Sequence, residues 1–200
     1  MKKIVLALLI AGASSFTFAQ SIGGFASVGK YSPSFTDNKG VDQTVSGSSI
    51  FMIGASFVKN INSNIAVPVS ISYAEFGAEH QLSDNQVLTS SANTVSIGAG
   101  LKYTLLEDYN TFRPFIQAGV NYEALVNSSY YYDVLQAGDL DWNSNLYADM
   151  KVGGTINTGL NITIDVFINY NLGLLNRVDA TEFGTYKDQN INLGVGIYFN

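Results

Sequence analysis

Five charged residues fall where opposite signs could meet: Lys102, Glu123, Asp149, Lys151 and Asp165. Each lies on the small or polar face of a segment whose other face is apolar. Charges removed from water must pair or neutralise. The expected outcome is an internal salt-bridge and hydrogen-bond network shared with Gln117, Asn121, Asn169 and Asn171. The sharper alternative is a narrow gated path plugged by Lys102 or Lys151 against Asp149 or Asp165. His80 is the single histidine, in Glu79-His80-Gln81-Leu82-Ser83, within a polar stretch read as a loop. A Ser/His hydrolase acting on lipid A would need a serine and an acid oriented around that ring. Nothing marks any serine for that role, so no catalytic residue is expected. With one histidine and no cysteine, neither a transition-metal site nor any cofactor is expected.

A second cluster, Tyr130-Tyr131-Tyr132-Asp133 followed by Asp139, Asp141 and Trp142, combines aromatics with acids. Contact surfaces favour that mixture, and Tyr130, Tyr131, Tyr132 and Trp142 are candidates for meeting an extracellular ligand. The same rings could instead extend a membrane-interface belt. Asp139 and Asp141 match no calcium-loop spacing. The Gly-x-Gly pairs at Gly98/Gly100 and Gly194/Gly196 lie inside strand-like runs, where they make room and allow curvature rather than cradle phosphate.

The elements that must position these residues are strands. In 190–199, Ile191, Leu193, Val195, Ile197 and Phe199 share one parity, and Asn190, Asn192, Gly194, Gly196 and Tyr198 the other. Alternate side chains on a strand face opposite ways, so one side is apolar and the other small or polar. The pattern recurs in segments 22–31, 50–59, 65–76, 94–105, 114–125, 146–155 and 162–172. The outward parity of 22–31 is left open, and Pro68 inside the third segment implies a bulge or a locally lost bond. Connections 60–64, 106–112 and 156–161 are short and rich in Asn, Asp and Gly. Connections 32–49, 77–93, 126–145 and 175–189 are long and polar.

Such strands are about long enough to cross an outer-membrane bilayer at a tilt, with short turns on one rim and long loops on the other. Backbone groups must all pair in lipid, so the strands must close into a ring. The expected fold is all-β, an eight-stranded antiparallel up-and-down transmembrane β-barrel, with the polar parity lining the lumen. Aromatics on the apolar face agree with two interface belts: Phe51, Tyr73, Tyr122 and Tyr170 toward the long loops, Phe57, Tyr103 and Phe199 toward the short turns.

The first 19 residues read as a cleaved signal peptide: Lys2-Lys3, the apolar run 4–11, and Ala19 before Gln20. The run is too short to span a membrane as a helix. The barrel domain would then occupy 20–200. Of 10 Lys+Arg, losing Lys2 and Lys3 leaves 8 against 16 Asp+Glu, a net of −8, which argues against nucleic acid as a partner.

The leader, the strand start Phe112-Arg113-Pro114-Phe115-Ile116-Gln117-Ala118-Gly119-Val120, and the ending Gly194-Val195-Gly196-Ile197-Tyr198-Phe199 together carry a resemblance. The chain resembles the small eight-stranded outer-membrane β-barrels of the OmpA/OmpX type and the wider outer membrane protein β-barrel domain group. The resemblance implies residence in outer-membrane lipid. It also implies recognition of the terminal aromatic by the barrel-assembly machinery, although here Asn200 follows Phe199. The expected role is non-enzymatic, an envelope barrel whose four outer loops meet ligands or surfaces. A small low-conductance pore is the alternative, and a lipid A-modifying enzyme a third. A secreted lipocalin-like barrel conflicts with the exterior belts.

Overall fold

The structure, a computed structural model, describes residues 21–37, 39–43, 45–81, 87–106, 111–132, 135–138, 143–175 and 184–200. The expected leader, Asp133, Asp139, Asp141 and Trp142 lie outside them. The strands are β1 (Ser21–Asp37), β2 (Asp42–Gln43), β3 (Val45–Gly47), β4 (Ser49–Asn60), β5 (Ile65–Gln81), β6 (Val87–Thr104), β7 (Phe112–Tyr132), β8 (Leu135–Gly138), β9 (Asn145–Asn157), β10 (Ile162–Gly173) and β11 (Gly184–Phe199). Eight of them, β1, β4, β5, β6, β7, β9, β10 and β11, pair with their sequence neighbours in antiparallel fashion, and β11 returns to pair with β1 from Ile22↔Phe199 to Asp37↔Gly184. The sheet is a closed barrel.

Alternation decides which side chains face out. Val120, Met150, Val152, Ile168, Ile191, Leu193 and Val195 are exposed on the wall, while Phe25, Phe115, Phe167, Asn169, Asn190 and Asn192 are buried inside. For β1 the parity is settled: Ile22 and Val28 point out, Phe25, Ser27 and Tyr31 point in. From Ile191 to Phe199 the apolar wall of β11 runs about 26 Å along the strand, or about 20 Å at a tilt of about 40°. Its upper edge is drawn by exposed polar residues: Lys30 paired with Ser49, Glu75 in the row that continues through Asn93 and Asn127, and Gln189.

Two local irregularities have separate causes. Proline has no N–H to give the ladder. Pairing of β5 with β6 lapses at Val67 and Pro68 and resumes in the same register, Ala66↔Lys102 below and Val69↔Ala99 above. A bond is lost there without a bulge. On β7 the partner of Asn93 is Asn127 and that of Thr94 is Leu125, so Val126 is an inserted residue. This bulge flips the parity above it, and Ser128 turns inward.

Much of what reads as long loops is in fact ladder. Residues 77–81 pair with 87–91, 88–92 pair with 128–132, and 32–37 pair with 184–189. Above the bilayer neither face needs to be apolar, so these extensions carry no alternating signal. The wall is therefore tall at β1/β11 and at β5–β7, and low at β4, β9 and β10. The low place at β4 is bridged: β3 pairs with β5, Tyr31 N donates to Ser48 O (2.9 Å), and Ser48 N donates to Gly77 O (3.1 Å). Gly47 lies so close to the Tyr31 carbonyl that no Cβ fits.

Candidate functional site

The barrel interior holds the polar and charged side chains, stacked in layers between the two rims. At the short-turn end it opens into a cavity of about 600 Å³. Asparagine turn chemistry shapes its mouth. Asn62 Oδ1 accepts from the N–H groups of Asn64 (2.9 Å) and Ile65 (2.8 Å), and Asn64 Nδ2 donates to Thr104 O (2.7 Å). The Arg113 guanidinium ties two turns together by donating to the carbonyls of Leu106 and Ser63. Asn200 joins the ends, accepting from Ser21 Oγ at 2.6 Å and donating its N–H to Asn161 O at 2.9 Å.

The inner end of that cavity is an ion pair. Lys102 Nζ lies 2.6 Å from Asp165 Oδ2 and 3.0 Å from Thr155 Oγ1, and Thr155 Oγ1 donates to Asp165 Oδ1 at 2.6 Å. The ammonium also sits 4.0 Å from the centre of the Phe115 ring. Charge, hydroxyl and ring together take the place of water around Lys102.

Above this layer the bore is filled. Phe25, Phe115 and Phe167 pack against one another with Met52, leaving a cavity of about 20 Å³ bordered by Gln117, Asn121, Asp149 and Lys151. Lys151 and Asp149 share one strand face, two residues apart, yet Lys151 Nζ lies over the rings of Phe25 (5.5 Å) and Phe167 (5.4 Å). Asp149 Oδ2 has no hydrogen-bond partner among the described residues. Higher still, Asn171 Nδ2 and Asn192 Nδ2 both donate to Asn190 Oδ1 at 2.7 Å, and Asn121 Nδ2 reaches Asn171 Oδ1 at 3.5 Å. Glu123 is buried on β7, opposite Ser96 on one side and Asn145 on the other.

The long-loop end is closed by two groups. Tyr31, Ile50, Ala74, Phe76 and Ala92 form an apolar cluster, with the rings of Tyr31 and Phe76 at 4.5 Å. Beside it Asp188, 1 % exposed, accepts from Tyr147 Oη (2.7 Å), Asn145 Nδ2 (2.7 Å) and Tyr31 Oη (3.3 Å). Asn145 Oδ1 in turn accepts from Leu146 N and Leu175 N. A Cβ at Gly173 would strike the Asp188 carboxylate, so only glycine fits there. Reading 175–189 as loop hid Asp188. Its parity, even like that of Asn190 and Asn192, was the available signal.

On the outer wall, Phe51, Tyr73, Tyr103 and Phe199 are exposed, and Phe57, Tyr122 and Tyr170 are half-buried. Tyr170 Oη donates to Gln189 Oε1 at 2.8 Å. Phe112, assigned to a turn by its sequence context, opens β7 and lays its ring across Gly154. Tyr130, Tyr131 and Tyr132 end β7, paired through their backbones with β6 and with β8. His80 belongs to β5 rather than to a loop, opposite Val45 and Leu88.

A closed ring of eight strands, an apolar exterior band and a polar, packed interior define an integral outer-membrane barrel. The sequence matches the model of the outer membrane protein beta-barrel domain family over residues 16–178, and the chain belongs to that family. It is a protein of the outer membrane. Among solved structures it is similar to OprG from Pseudomonas aeruginosa, with 16 % identity over 90 % of this chain and 95 % of that one and a TM-score of 0.59. It is also similar to Neisserial surface protein A, with 16 % identity over 88 % and 95 % and a TM-score of 0.51. At such identities the likeness concerns the fold. No curated protein matches in sequence.

Proposed function

We propose that the protein is a non-conducting, non-enzymatic envelope barrel that presents its long-loop end to extracellular ligands or surfaces. The observation that carries this reading is the filled bore. The interior narrows from about 600 Å³ at the short-turn end to about 20 Å³ at the Phe25/Phe115/Phe167 layer, and the far end is packed by Tyr31, Phe76 and Asp188. An eight-stranded barrel is just wide enough for side chains to fill it, which supports a wall-and-anchor role over a transport role. In this reading the ladders extending above the band stiffen the display surface, and Tyr130, Tyr131, Tyr132 and Trp142 supply contact area. Outer-membrane lipid surrounds the wall, the leader 1–19 is cleaved on export, and the barrel-assembly machinery inserts the chain. The test is planar-bilayer recording of wild type and Lys102→Ala. Neither is expected to show resolvable conductance, and a defined unitary current in wild type would sink the reading in favour of a small pore.

A further inference from the structure

The cavity at the short-turn end has no part in surface display. Short turns face the periplasm in outer-membrane barrels, so the cavity opens to that compartment. At about 600 Å³ it lies within the range of roughly 300–1,000 Å³ that small-molecule sites occupy.

Its lining is hydroxyl and amide. Ser21, Thr104, Thr155 and Thr163 contribute hydroxyls, and asparagines of the turns and strand ends contribute amides. Most of these groups are already fixed, as Asn62, Asn64 and Arg113 are by the backbone bonds described above. A mouth held in this way loses little freedom when it meets a ligand. Two hydroxyls are uncommitted. Thr104 is 7 % exposed, and neither it nor Thr163 makes a side-chain hydrogen bond among the described residues. Both hydroxyls face the open cavity, so each can exchange water for a hydroxyl or amide of whatever enters. At the inner end Lys102 is matched by Asp165, so the charges there cancel. The Tyr198 ring adds an apolar surface to the wall.

We propose that this cavity binds a small, uncharged, hydroxyl- and amide-bearing saccharide from the periplasmic side. Asn62 Nδ2 and the Asn161 side-chain amide, which make no bond among the described residues, give an N-acetyl group a donor and an acceptor, and the threonine hydroxyls meet ring hydroxyls. The inner end is neutralised by Asp165, and the Arg113 guanidinium at the mouth is held by the Leu106 and Ser63 carbonyls.

The test uses the full chain folded in detergent micelles, with N,N′-diacetylchitobiose as probe and maltose, which lacks amides, as comparison, read by saturation-transfer NMR and calorimetry. Thr163→Tyr places a ring in the cavity without removing a hydrogen bond seen in the structure. Thr104→Val removes one hydroxyl at nearly constant shape. The expected result is saturable binding of the acetylated sugar, weaker binding of maltose, loss of binding in Thr163→Tyr and a several-fold loss in Thr104→Val, with both variants keeping heat-modifiable mobility on gels. Should Thr163→Tyr fail to fold, Thr104→Val decides. The proposal is overturned by no saturable binding to wild type, by maltose binding as tightly, or by binding that survives in the variants that fold.

Discussion

Lys102 and Asp165 meet at 2.6 Å across the hollow of the barrel, tying β6 to β10, strands that are not neighbours in the sheet. The bond runs through the interior instead of along the wall. Removing one member of a buried pair leaves the other uncompensated, which costs about 3–5 kcal/mol for a fully enclosed pair. The open cavity beside this one lowers the expectation to about 2–3 kcal/mol for Lys102→Ala or Asp165→Asn. Urea unfolding followed by gel mobility should show both midpoints lowered. The double variant Lys102→Met/Asp165→Leu should recover part of the loss, because it leaves no orphan charge.

Asp188 is the corresponding tie at the other end. Asp188→Ala strands the donors of Tyr31, Tyr147 and Asn145 in a buried place, at about 1–3 kcal/mol for each group left unsatisfied. The membrane-embedded wall should persist while the upper ladders loosen. Limited proteolysis of intact cells should then cut the variant faster on its outer side, with the heat-modifiable core surviving. Gly173→Ala should act in the same direction, since its methyl group displaces the same carboxylate.

The outer wall predicts a depth dependence. Leu193 and Val195 lie mid-band on β11, whereas Gln189 lies at its polar edge. Leu193→Arg should destabilise the folded barrel by about 2–4 kcal/mol, and Gln189→Arg by about 0–1 kcal/mol. Reversible unfolding from lipid vesicles measures both. Equal effects would mean that the band is placed wrongly.

Deleting Val126 removes the inserted residue from β7. The ladder with β6 would then run on without a bulge, with Asn127 following Leu125 opposite Asn93, and Ser128 would keep its place opposite Ala92, facing inward. Amide exchange should stay slow from 112 to 123 and become slower around 125 and 127, where a continuous ladder replaces the bulge; faster exchange from 127 to 132 would mean that Val126 is not the inserted residue.

These expectations differ in how far they could be read without coordinates. Inside the bilayer the solvent is oil on one side and packed side chains on the other, so every second residue is constrained. The runs 162–172 and 190–199 are therefore plain in the letters. Above Glu75 and Lys30 the outer face meets water while the inner face buries polar groups such as Asp188 and Asn145, so neither face need be apolar and paired residues such as 77–81 look like loop. Asp188 and Asn145 were lost for that reason. The role of Lys151 was hidden differently: parity placed it inside, but only packing shows that it lies against Phe25 and Phe167 and does not meet Asp149. Pro68 was visible as a problem, but whether it bulged or merely dropped a bond depends on register alone.

The junction of β1 with β11 has a consequence for how the molecule comes into being. Ile22 and Phe199, almost the full described chain apart, must find each other before the cylinder exists. Until then both bordering strands carry bare amides and carbonyls that oil cannot satisfy. Contacts of such long range form slowly, so the unfinished polypeptide must wait in water, sticky on one face, until its final stretch arrives. A truncation before β11 should thus yield no smaller cylinder, only a chain for proteases to clear.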